Sequence, residues 1–316
     1  MTSPRRRTAH PITVPLGRTA RRLDWAHLPP LIRHSVERRL GSTVVGAESQ
    51  TSGFTPGFAS VLTCADGSRH FVKAASVKAQ RAAALSYRQE ARKLRTIPPG
   101  VAAPRLKWVH DADDWVVLGI EYVEGRPPQR PWPAEELDAA LTMLVETAAA
   151  LTPAPGIGLD SLVEDAAEWP GMWERLAHLS HAEEAAALAA RYAEVLVGDT
   201  LVHGDVRDDN LLVRPDGTVV LCDWNWPALG PAWFDSLHLL IGARGDGHDV
   251  EAILAGHPLL APVPAEDVDT TLALLAGYFL KHAADPIPRA APWVREIQRW
   301  QGEVTWHWLA ERRGWI

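Results

Sequence analysis

The sequence predicts an α+β protein of two lobes, in which a small β-rich N-lobe is followed by a larger, mainly helical C-lobe. Three observations support this fold class. Short β-type runs surround one helix within residues 57–123, a proline-rich stretch follows at 124–133, and the apolar residues of 134–316 recur mostly at helical spacing. We therefore divide the chain into a basic terminal segment (1–22), an N-lobe (23–123), a linker (124–133) and a C-lobe (134–316).

The N-lobe is predicted to contain two pairs of strands with a helix between them. The runs 58–63 and 69–74 are joined by an Asp-Gly turn, which is typical of a β-hairpin. A helix is expected over 78–96, where Pro-Pro-Gly ends it. Two further strands are then expected at 105–109 and 115–123.

The C-lobe is predicted to be helical apart from one hairpin. An apolar face at helical spacing extends over 137–151, and Ala-rich helices are expected at 165–179 and 181–197. A Pro-Asp-Gly turn folds 211–222 into a compact hairpin. Helices are expected from there to the C-terminus.

Tryptophan is unusually frequent, with 14 residues in the chain. In the final helix, aromatic and aliphatic side chains recur at helical spacing, which predicts a buried stripe of Trp293, Ile297, Trp300, Val304 and Trp308. Trp306 lies off this stripe and Trp315 follows it. A second interpretation is therefore that one of these two rings stacks on a sugar or another ring of a substrate.

Composition excludes several classes of protein. The 316 residues are 47% hydrophobic and 22% charged, which is typical of a globular chain and not of a disordered one. A net charge of −7 disfavours nucleic acid as a partner. Two cysteines exclude a disulfide scaffold and favour a reducing compartment, so a cytoplasmic location is expected. No apolar run approaches the roughly 20 residues of a membrane span, so no membrane association is expected.

The terminal segment, residues 1–22, contains six arginines and no acidic residue. A transit peptide or a nucleic-acid-binding arm would have a similar composition. The segment has neither the apolar core of a secretory signal nor an amphipathic pattern. We therefore expect a solvated, disordered tail.

The most informative segment extends from His203 to Asp223. Its turn brings the two ends of the hairpin together, so that Asn210, just before the first strand, lies near Asp223, just after the second. Asp205 precedes Asn210 by five positions. Two carboxylates and an amide oxygen in one small volume form a set of hard oxygen ligands, which suits Mg²⁺ bound to a phosphate.

These residues resemble the catalytic loop and metal loop of the protein-kinase-like fold, in the form found in the aminoglycoside phosphotransferase and choline kinase family. The resemblance extends over about residues 45–280. It implies that Asp205 accepts the proton of the acceptor hydroxyl and that Asn210 and Asp223 hold Mg²⁺. Arg207 lies where protein kinases carry a lysine that contacts the γ-phosphate, and an arginine can make that contact through two hydrogen bonds.

A kinase also needs a lysine on a strand to hold the α- and β-phosphates and a helix glutamate to orient it. Lys73 occurs late in the second strand of the predicted hairpin. Glu90 is the only acidic residue between 67 and 110, and it lies on the apolar face of the predicted helix, where a carboxylate needs a cation. We predict a Lys73–Glu90 pair. The alternative is that Glu90 pairs with a neighbouring arginine on a solvated face.

Two further segments resemble parts of the family's nucleotide site. Ser52, Gly53 and Gly57 belong to a glycine-bearing turn ahead of the first hairpin strand, which resembles the loop that covers the phosphates. Glu121 and Val123 lie in the segment that resembles the hinge, where the backbone hydrogen-bonds adenine. The cofactors that the resemblance implies are ATP and Mg²⁺.

Differences from the protein-kinase sequence pattern limit the kinds of acceptor molecule that are expected. Gly204 replaces the arginine before the catalytic aspartate, and Asp-Trp-Asn replaces Asp-Phe-Gly at Asp223. Only twelve positions separate Asp223 from Asp235, which resembles the acid that ties down the catalytic loop, so there is no room for a peptide platform. We therefore expect an ATP-dependent phosphotransferase that moves the γ-phosphate to a hydroxyl of a small molecule, such as an aminoglycoside-like antibiotic, a sugar or an amino alcohol.

Two alternatives stay open. A nucleotide-binding pseudokinase would act as a regulator, although the complete set of catalytic and metal residues argues against it. An enzyme of the same fold could instead transfer AMP to a protein, which would invert the nucleotide in its site. The net charge of −3 over residues 236–316 is too mild to require a polycationic acceptor. Nothing in the sequence indicates an oligomeric state or distinguishes ATP from GTP.

Overall fold

The computed structural model describes residues 10–15, 17, 19–54, 57–156 and 159–316. Within them, the predicted fold class is confirmed. A small lobe built on one antiparallel sheet is followed by a larger lobe that contains the long helices. None of the described helices combines the length and apolar character that crossing a membrane would require.

The N-lobe is a five-stranded antiparallel sheet in the order β1-β2-β3-β5-β4. Its strands are β1 (Val44–Ser49), β2 (Phe58–Cys64), β3 (Arg69–Ser76), β4 (Leu106–Ala112) and β5 (Trp115–Glu121), and its helices are α1 (Pro30–Leu40) and α2 (Arg81–Leu94). The two predicted strand pairs and the helix between them are present. Helix α1 and strand β1 were not predicted, because α1 has few apolar residues and β1 has no buried side chain.

The two N-lobe helices lie on opposite faces of the sheet. Val72 and Ala74 of β3 pack with Ile32 of α1, whereas Ala75 belongs to the core that contains α2. Side chains alternate between faces along a strand, so Lys73 shares the face of Ala75. The sheet therefore directs Lys73 toward α2 and the C-lobe.

The C-lobe consists mainly of helices. They are α3 (Ala134–Ala150), α4 (Leu162–Asp165), α5 (Ala182–Ala189), α6 (Tyr192–Val195), α7 (Phe234–Gly245), α8 (Val250–Gly256), α9 (Ala265–Ala283) and α10 (Val294–Arg313). The long helices α9 and α10 pack against each other, and Leu272, Leu275, Val304 and Trp308 are buried in the core they share with α7.

The two Ala-rich helices expected at 165–179 and 181–197 are broken into shorter pieces. Pro170 begins a 3₁₀-helix that ends at Leu176, because proline has no N–H group with which to continue an α-helix. His181 has a left-handed backbone, with φ of 61°, which separates this turn from α5. Hydrophobic periodicity alone does not reveal such breaks.

Two short antiparallel strand pairs interrupt the helices. The predicted hairpin is formed by β7 (Leu211–Val213) and β8 (Val219–Leu221). The other pair, β6 (Thr200–Val202) with β9 (Ala228–Gly230), was not predicted from the sequence. Together the pairs hold the loop after β6 beside the loop after β8.

The described part of the terminal segment packs on both lobes, which corrects the expectation of a solvated tail. The backbone N–H of His10 donates to the Gly245 carbonyl at 2.7 Å, and Thr19 Oγ1 donates to the Gly53 carbonyl at 2.8 Å. Val14 and Ala20 are buried. Arginine-rich composition gave no sign of this docking, because backbone carbonyls and small side chains provide it. Residues 1–9, 16 and 18 lie outside the described residues.

The two tryptophans outside the predicted stripe are engaged with other rings. Trp306 and Trp315 lie 5.5 Å apart between ring centroids, and Trp306 lies 5.4 Å from Trp173. Core packing thus occupies the rings for which stacking on a substrate was the second interpretation. Within the stripe, Trp308 is fully buried, whereas Trp293 is exposed.

Candidate active site

A cavity of about 290 Å³ lies between the two lobes. Its volume is close to the lower end of the range for small-molecule sites, about 300–1,000 Å³. The lining combines an apolar set, Ala59, Val61, Phe71, Ile120 and Leu212, with a polar set, Lys73, Glu90, Asn210 and Asp223. Such a lining suits a ligand with a flat apolar part and a charged part.

Lys73 is the centre of the polar set. Its Nζ lies 2.7 Å from Glu90 Oε1 and 2.5 Å from Asp223 Oδ1. The side chains of Lys73 and Glu90 are only 8% and 2% exposed, so the pair is formed away from water. Strand β3, helix α2 and the loop after β8 each supply one group. Among the described residues no arginine forms an ion pair with Glu90, so the alternative pairing does not occur.

The charges of this cluster reinforce one another. Burial by itself would lower the pKa of Lys73, but the carboxylates of Asp223 and Glu90 outweigh burial and hold that pKa above its ordinary value. Burial would raise the pKa of Asp223, but Lys73 outweighs it and holds that pKa below its usual range. Lys73 therefore stays cationic and Asp223 anionic at neutral pH.

The loop between β6 and β7 carries Asp205, Arg207 and Asn210. Arg207 Nη1 donates to Asp205, and its Nε and Nη2 donate to Asp209 at 2.9 and 3.2 Å. Asn210 Nδ2 donates to the backbone carbonyl of Asp205 at 2.8 Å. Burial raises the pKa of Asp205, and Arg207 opposes that shift only in part. The Asp205 carboxylate is thus held in one orientation and is more basic than an exposed aspartate.

Asp235, at the start of α7, anchors this loop. Its carboxylate accepts the backbone N–H of His203 at 2.6 Å and the N–H of Gly204 at 3.0 Å. Gly204 has φ of +80°, and a Cβ at that position would lie 2.7 Å from the Trp226 carbonyl. Only glycine fits there without displacement, which accounts for the departure from the arginine of protein kinases.

Asp223 is held in a strained backbone conformation. It has φ of 63°, which is uncommon for a residue with a side chain. Asn225 Nδ2 donates to Asp223 Oδ1 at 2.6 Å, and Ser86 Oγ of α2 donates to Asn225 Oδ1 at 3.2 Å. From the sequence, Asn225 was notable only as a departure from the glycine of protein kinases. In the structure it connects Asp223 to the N-lobe.

The glycine-bearing turn divides into two parts. Ser52 and Gly53 line the cavity, and Gly53 has φ of +81°. Gly57 is not among the lining residues and instead packs closely on Tyr87 and Ala74, since a Cβ on it would lie 2.8 Å from the Tyr87 hydroxyl and 3.2 Å from the Ala74 carbonyl. Its expected contact with the nucleotide therefore has no support from the geometry. Residues 55 and 56 lie outside the described part of the turn.

Glu121 and Val123 both line the cavity where the N-lobe ends. The N–H of Glu121 already donates to the Arg105 carbonyl at 2.8 Å. For Val123, which follows the end of β5, no backbone hydrogen bond is seen within the described residues. Val123 thus has a backbone donor and acceptor available to a ligand, whereas the N–H of Glu121 is already committed.

Two arginines at the cleft were not among the predicted site residues. Arg22, assigned from sequence to the tail, lines the cavity, and its Nη2 donates to the Ser52 carbonyl at 2.9 Å. Arg130 of the linker forms two hydrogen bonds with Asp208 of the catalytic loop and donates to the Val14 carbonyl at 2.9 Å. Neither residue belongs to a local motif, so no signal in the sequence identified them.

The residues expected to hold Mg²⁺ fit that ion. Asn210 and Asp223 lie on one cavity wall, and the N–H of Cys222 donates to the Asn210 carbonyl at 2.8 Å. Within the described residues, Asn210 Oδ1 and Asp223 Oδ2 accept no hydrogen bond, so two hard oxygens are uncommitted. No cluster of three or more His, Cys, Asp or Glu suited to a metal occurs in the described residues. Mg²⁺ commonly takes only one or two protein ligands beside phosphate and water.

Comparison with solved structures gives the same fold. An aminoglycoside phosphotransferase from Alicyclobacillus acidocaldarius aligns at 20% identity over 86% of this chain and 92% of its own, with a TM-score of 0.54. The choline kinase LicA from Streptococcus pneumoniae aligns at 13% identity over 92% of this chain and 100% of its own, with a TM-score of 0.60. A spectinomycin phosphotransferase, solved with ADP and spectinomycin, aligns at 10% identity over 87% of this chain and 97% of its own, with a TM-score of 0.61.

Sequence comparison gives the family. A search of curated proteins found no match. The model of the phosphotransferase enzyme family (APH) matches residues 60–266, about two thirds of the chain, and this span includes the Lys73 pair and the catalytic loop. The chain therefore belongs to the phosphotransferase enzyme family.

Proposed function

We propose that this protein is an ATP-dependent phosphotransferase that moves the γ-phosphate of ATP to a hydroxyl group of a small molecule. The observation that carries the proposal is the meeting of Lys73, Glu90 and Asp223 in one cluster of the cleft. Asn210, from the loop that also carries Asp205, lines the same cavity. A protein that only bound a nucleotide would need no aspartate such as Asp205, whose pKa is raised by burial and whose carboxylate is held by Arg207 and Asn210.

The cavity suits ATP at both of its chemical parts. The apolar lining and the available backbone groups of Val123 suit a flat base that offers a donor and an acceptor. Lys73, kept cationic by two carboxylates, suits the α- and β-phosphates. The left-handed backbone at Gly53 suits a loop whose N–H groups face an anion.

The transfer step follows from the groups on the catalytic loop. The acceptor oxygen attacks the γ-phosphorus and its proton passes to Asp205, while the bond between the γ-phosphorus and the bridging oxygen breaks and ADP leaves. Asn210 and Asp223 would hold Mg²⁺, which neutralises charge on the phosphate oxygens when it is bound. Arg207 would stabilise the negative charge on the transferred group, at the cost of loosening its bonds to Asp205 and Asp209.

A small acceptor is supported by the segment between Asp223 and Asp235. Strand β9 fills the middle of this segment and pairs with β6, and α7 begins directly after it. No free loop is left to carry an extended peptide. The solved relatives include a choline kinase and a spectinomycin phosphotransferase, so amino alcohols and aminocyclitol antibiotics are the first acceptors to test.

A cytoplasmic location is part of the same proposal. Cys64 and Cys222 are both free. Burial raises the pKa of the Cys222 thiol to about 12, so it is a poor nucleophile. Two unpaired thiols are consistent with a reducing compartment.

The proposal is tested by incubating the protein with Mg²⁺, γ-labelled ATP and mixtures of hydroxylated small molecules. We expect label on a small molecule, none with α-labelled ATP, and transfer slowed by about 10²- to 10⁴-fold with Asp205→Asn. Transfer of α-label to protein would favour AMP transfer and overturn the proposal. Nucleotide binding without transfer to any acceptor in the wild type would favour a regulatory protein.

A further inference from the structure

Arg22 lies in the cleft but comes from a part of the chain that the family model does not cover. The match begins at residue 60, whereas Arg22 closes the terminal segment and lines the cavity with Lys73 and Asp223. Its Nη2 is fixed at 2.9 Å from the Ser52 carbonyl and lies 3.5 Å from the position of a Cβ on Gly53. The guanidinium is thus placed directly under the glycine-bearing turn.

Arg22 differs from the other cations of this cleft in having no counter-ion. Lys73 is paired with Glu90 and Asp223, and Arg69 lies 3.9 Å from Glu48. Within the described residues, no carboxylate lies within 4.0 Å of the Arg22 guanidinium. Its Nε is buried and has no hydrogen-bond partner there. An arginine held in this state has an unused donor and a charge without a direct ion-pair partner in a small-molecule cavity.

The charge of Arg22 acts on the volume where phosphates would bind. Arg22 lines the same cavity as Lys73, Glu90 and Asp223. The cluster formed by Lys73, Glu90 and Asp223 has a net charge of −1. That net charge would repel a polyphosphate, and a nearby guanidinium offsets it. Arginine binds phosphate through charge-assisted hydrogen bonds.

We propose that Arg22 is a phosphate-binding residue of the nucleotide site, so that the terminal segment completes the site that the two lobes form. The ligand is a nucleoside di- or triphosphate, and the contact is to its phosphates, not to its base. The inference rests on the proposed function, because it assumes that ATP binds in this cavity.

The structural role of Arg22 has to be separated from its charge. Arg22 also anchors the turn through Ser52, so that an alanine variant would remove both contributions. Arg22→Gln keeps an amide that can donate to the Ser52 carbonyl but loses the charge, and Arg22→Lys keeps the charge. Arg21→Ala is the matched control, because Arg21 is exposed and its backbone N–H, which donates to the Ala290 carbonyl at 3.1 Å, is unchanged.

The test measures the dissociation constants of Mg·ATP, Mg·ADP and adenosine for each variant by calorimetry or competition. For Arg22→Gln we expect affinity for ATP and ADP to fall about 10- to 100-fold, the value of one hydrogen bond between charged groups. Affinity for adenosine should stay within about twofold, since adenosine has no phosphate. Arg22→Lys should lie between Arg22→Gln and the wild type, and Arg21→Ala should match the wild type for all three ligands.

Unchanged affinity of Arg22→Gln for ATP and ADP would overturn the inference. An equal loss of affinity for adenosine would also overturn it, because that pattern means that Arg22 only supports the turn. Failure of the proposed function can be distinguished from failure of the inference about Arg22. If Lys73→Met weakens ATP binding while Arg22→Gln does not, the function stands and the inference falls, whereas a wild type that binds no adenine nucleotide removes both.

Discussion

Two ion clusters lie at the cleft, and they are built in different ways. The cluster of Lys73, Glu90 and Asp223 joins groups that are up to 150 residues apart in sequence. The cluster of Asp205, Arg207 and Asp209 lies within one short loop. The first depends on how the lobes pack, whereas the second depends on local geometry. We therefore expect substitutions in the first to affect stability and nucleotide binding, and a substitution at Asp205 to affect turnover alone.

The largest effect on activity is expected for a substitution in the cluster of Asp205, Arg207 and Asp209. Asp205→Asn should reduce kcat by about 10²- to 10⁴-fold, the usual contribution of a positioned base. The affinity for Mg·ATP should change little, because the amide keeps the shape of the side chain and Asp205 does not line the cavity. Turnover in steady state and nucleotide titration measure the two quantities.

Asp216→Asn is the control for this substitution. Asp216 lies in the exposed turn of the hairpin and, among the residues that the structure describes, accepts only from Thr218. A variant at Asp205 with the turnover of the wild type would remove this residue from the mechanism.

Loss of the cluster of Lys73, Glu90 and Asp223 should destabilise the fold. Lys73→Met leaves Glu90 buried without its cation, and breaking a buried ion pair in this way costs about 3–5 kcal/mol of the free energy of unfolding. Affinity for Mg·ATP should fall as well. Denaturant unfolding of the free protein measures the first effect and nucleotide titration the second.

Lys78→Met provides a matched control. Lys78 Nζ lies 2.6 Å from Asp114 Oδ2, but these side chains are 77% and 54% exposed. Exposed pairs contribute about 0–1 kcal/mol, so the cost should be small. If both lysine variants lost the same stability, burial would not be what distinguishes the Lys73 cluster.

Asp235 connects the local cluster to the body of the C-lobe. In Asp235→Asn one carboxylate oxygen becomes an NH₂ group that faces a backbone N–H of His203 or Gly204. We expect a loss of about 1–3 kcal/mol of unfolding free energy, as for a buried group left without its partner. Turnover should fall too, because the loop no longer holds Asp205 in place.

Asp249→Asn is the corresponding control. Asp249 caps α8 by accepting the N–H of Ala252, and asparagine caps a helix about as well. If Asp235→Asn and Asp249→Asn had the same free energy of unfolding, the loop would not depend on its anchor.

The smallest effect concerns pH. Burial raises the pKa of Asp205, and a base must be unprotonated to act. The rate constant kcat/KM should therefore fall as the pH drops through a value above about 3.9, the ordinary pKa of aspartate. An acceptor without an ionisable group in this range keeps the profile free of substrate titration. If kcat/KM fell with an apparent pKa at or below about 3.9, the raised pKa of Asp205 would be contradicted.

The two clusters also differ in how well the sequence predicted them. The Asp205 loop and the hairpin from Leu211 to Leu221 were predicted because turn chemistry and strand patterns act over a few residues. The Lys73–Glu90 pair was predicted because one acid on an apolar helix face leaves few possible partners. The contact of Lys73 with Asp223, and the role of Asn225 in connecting Asp223 to Ser86, were not predicted.

By itself, the sequence determined the two-lobed α+β class and the hairpin, since these depend on periodicity and on short spacings, whereas the candidate residues for phosphoryl transfer were predicted from their resemblance to the family's loops. Tertiary structure alone decided that Gly57 packs on Tyr87 and that Arg22 enters the cleft. The physical reason is the range of the interactions. Docking of the terminal segment depends on backbone carbonyls of both lobes, such as that of Gly53 in a turn and that of Gly245 at the end of α7, whose relative positions exist only after both lobes have packed.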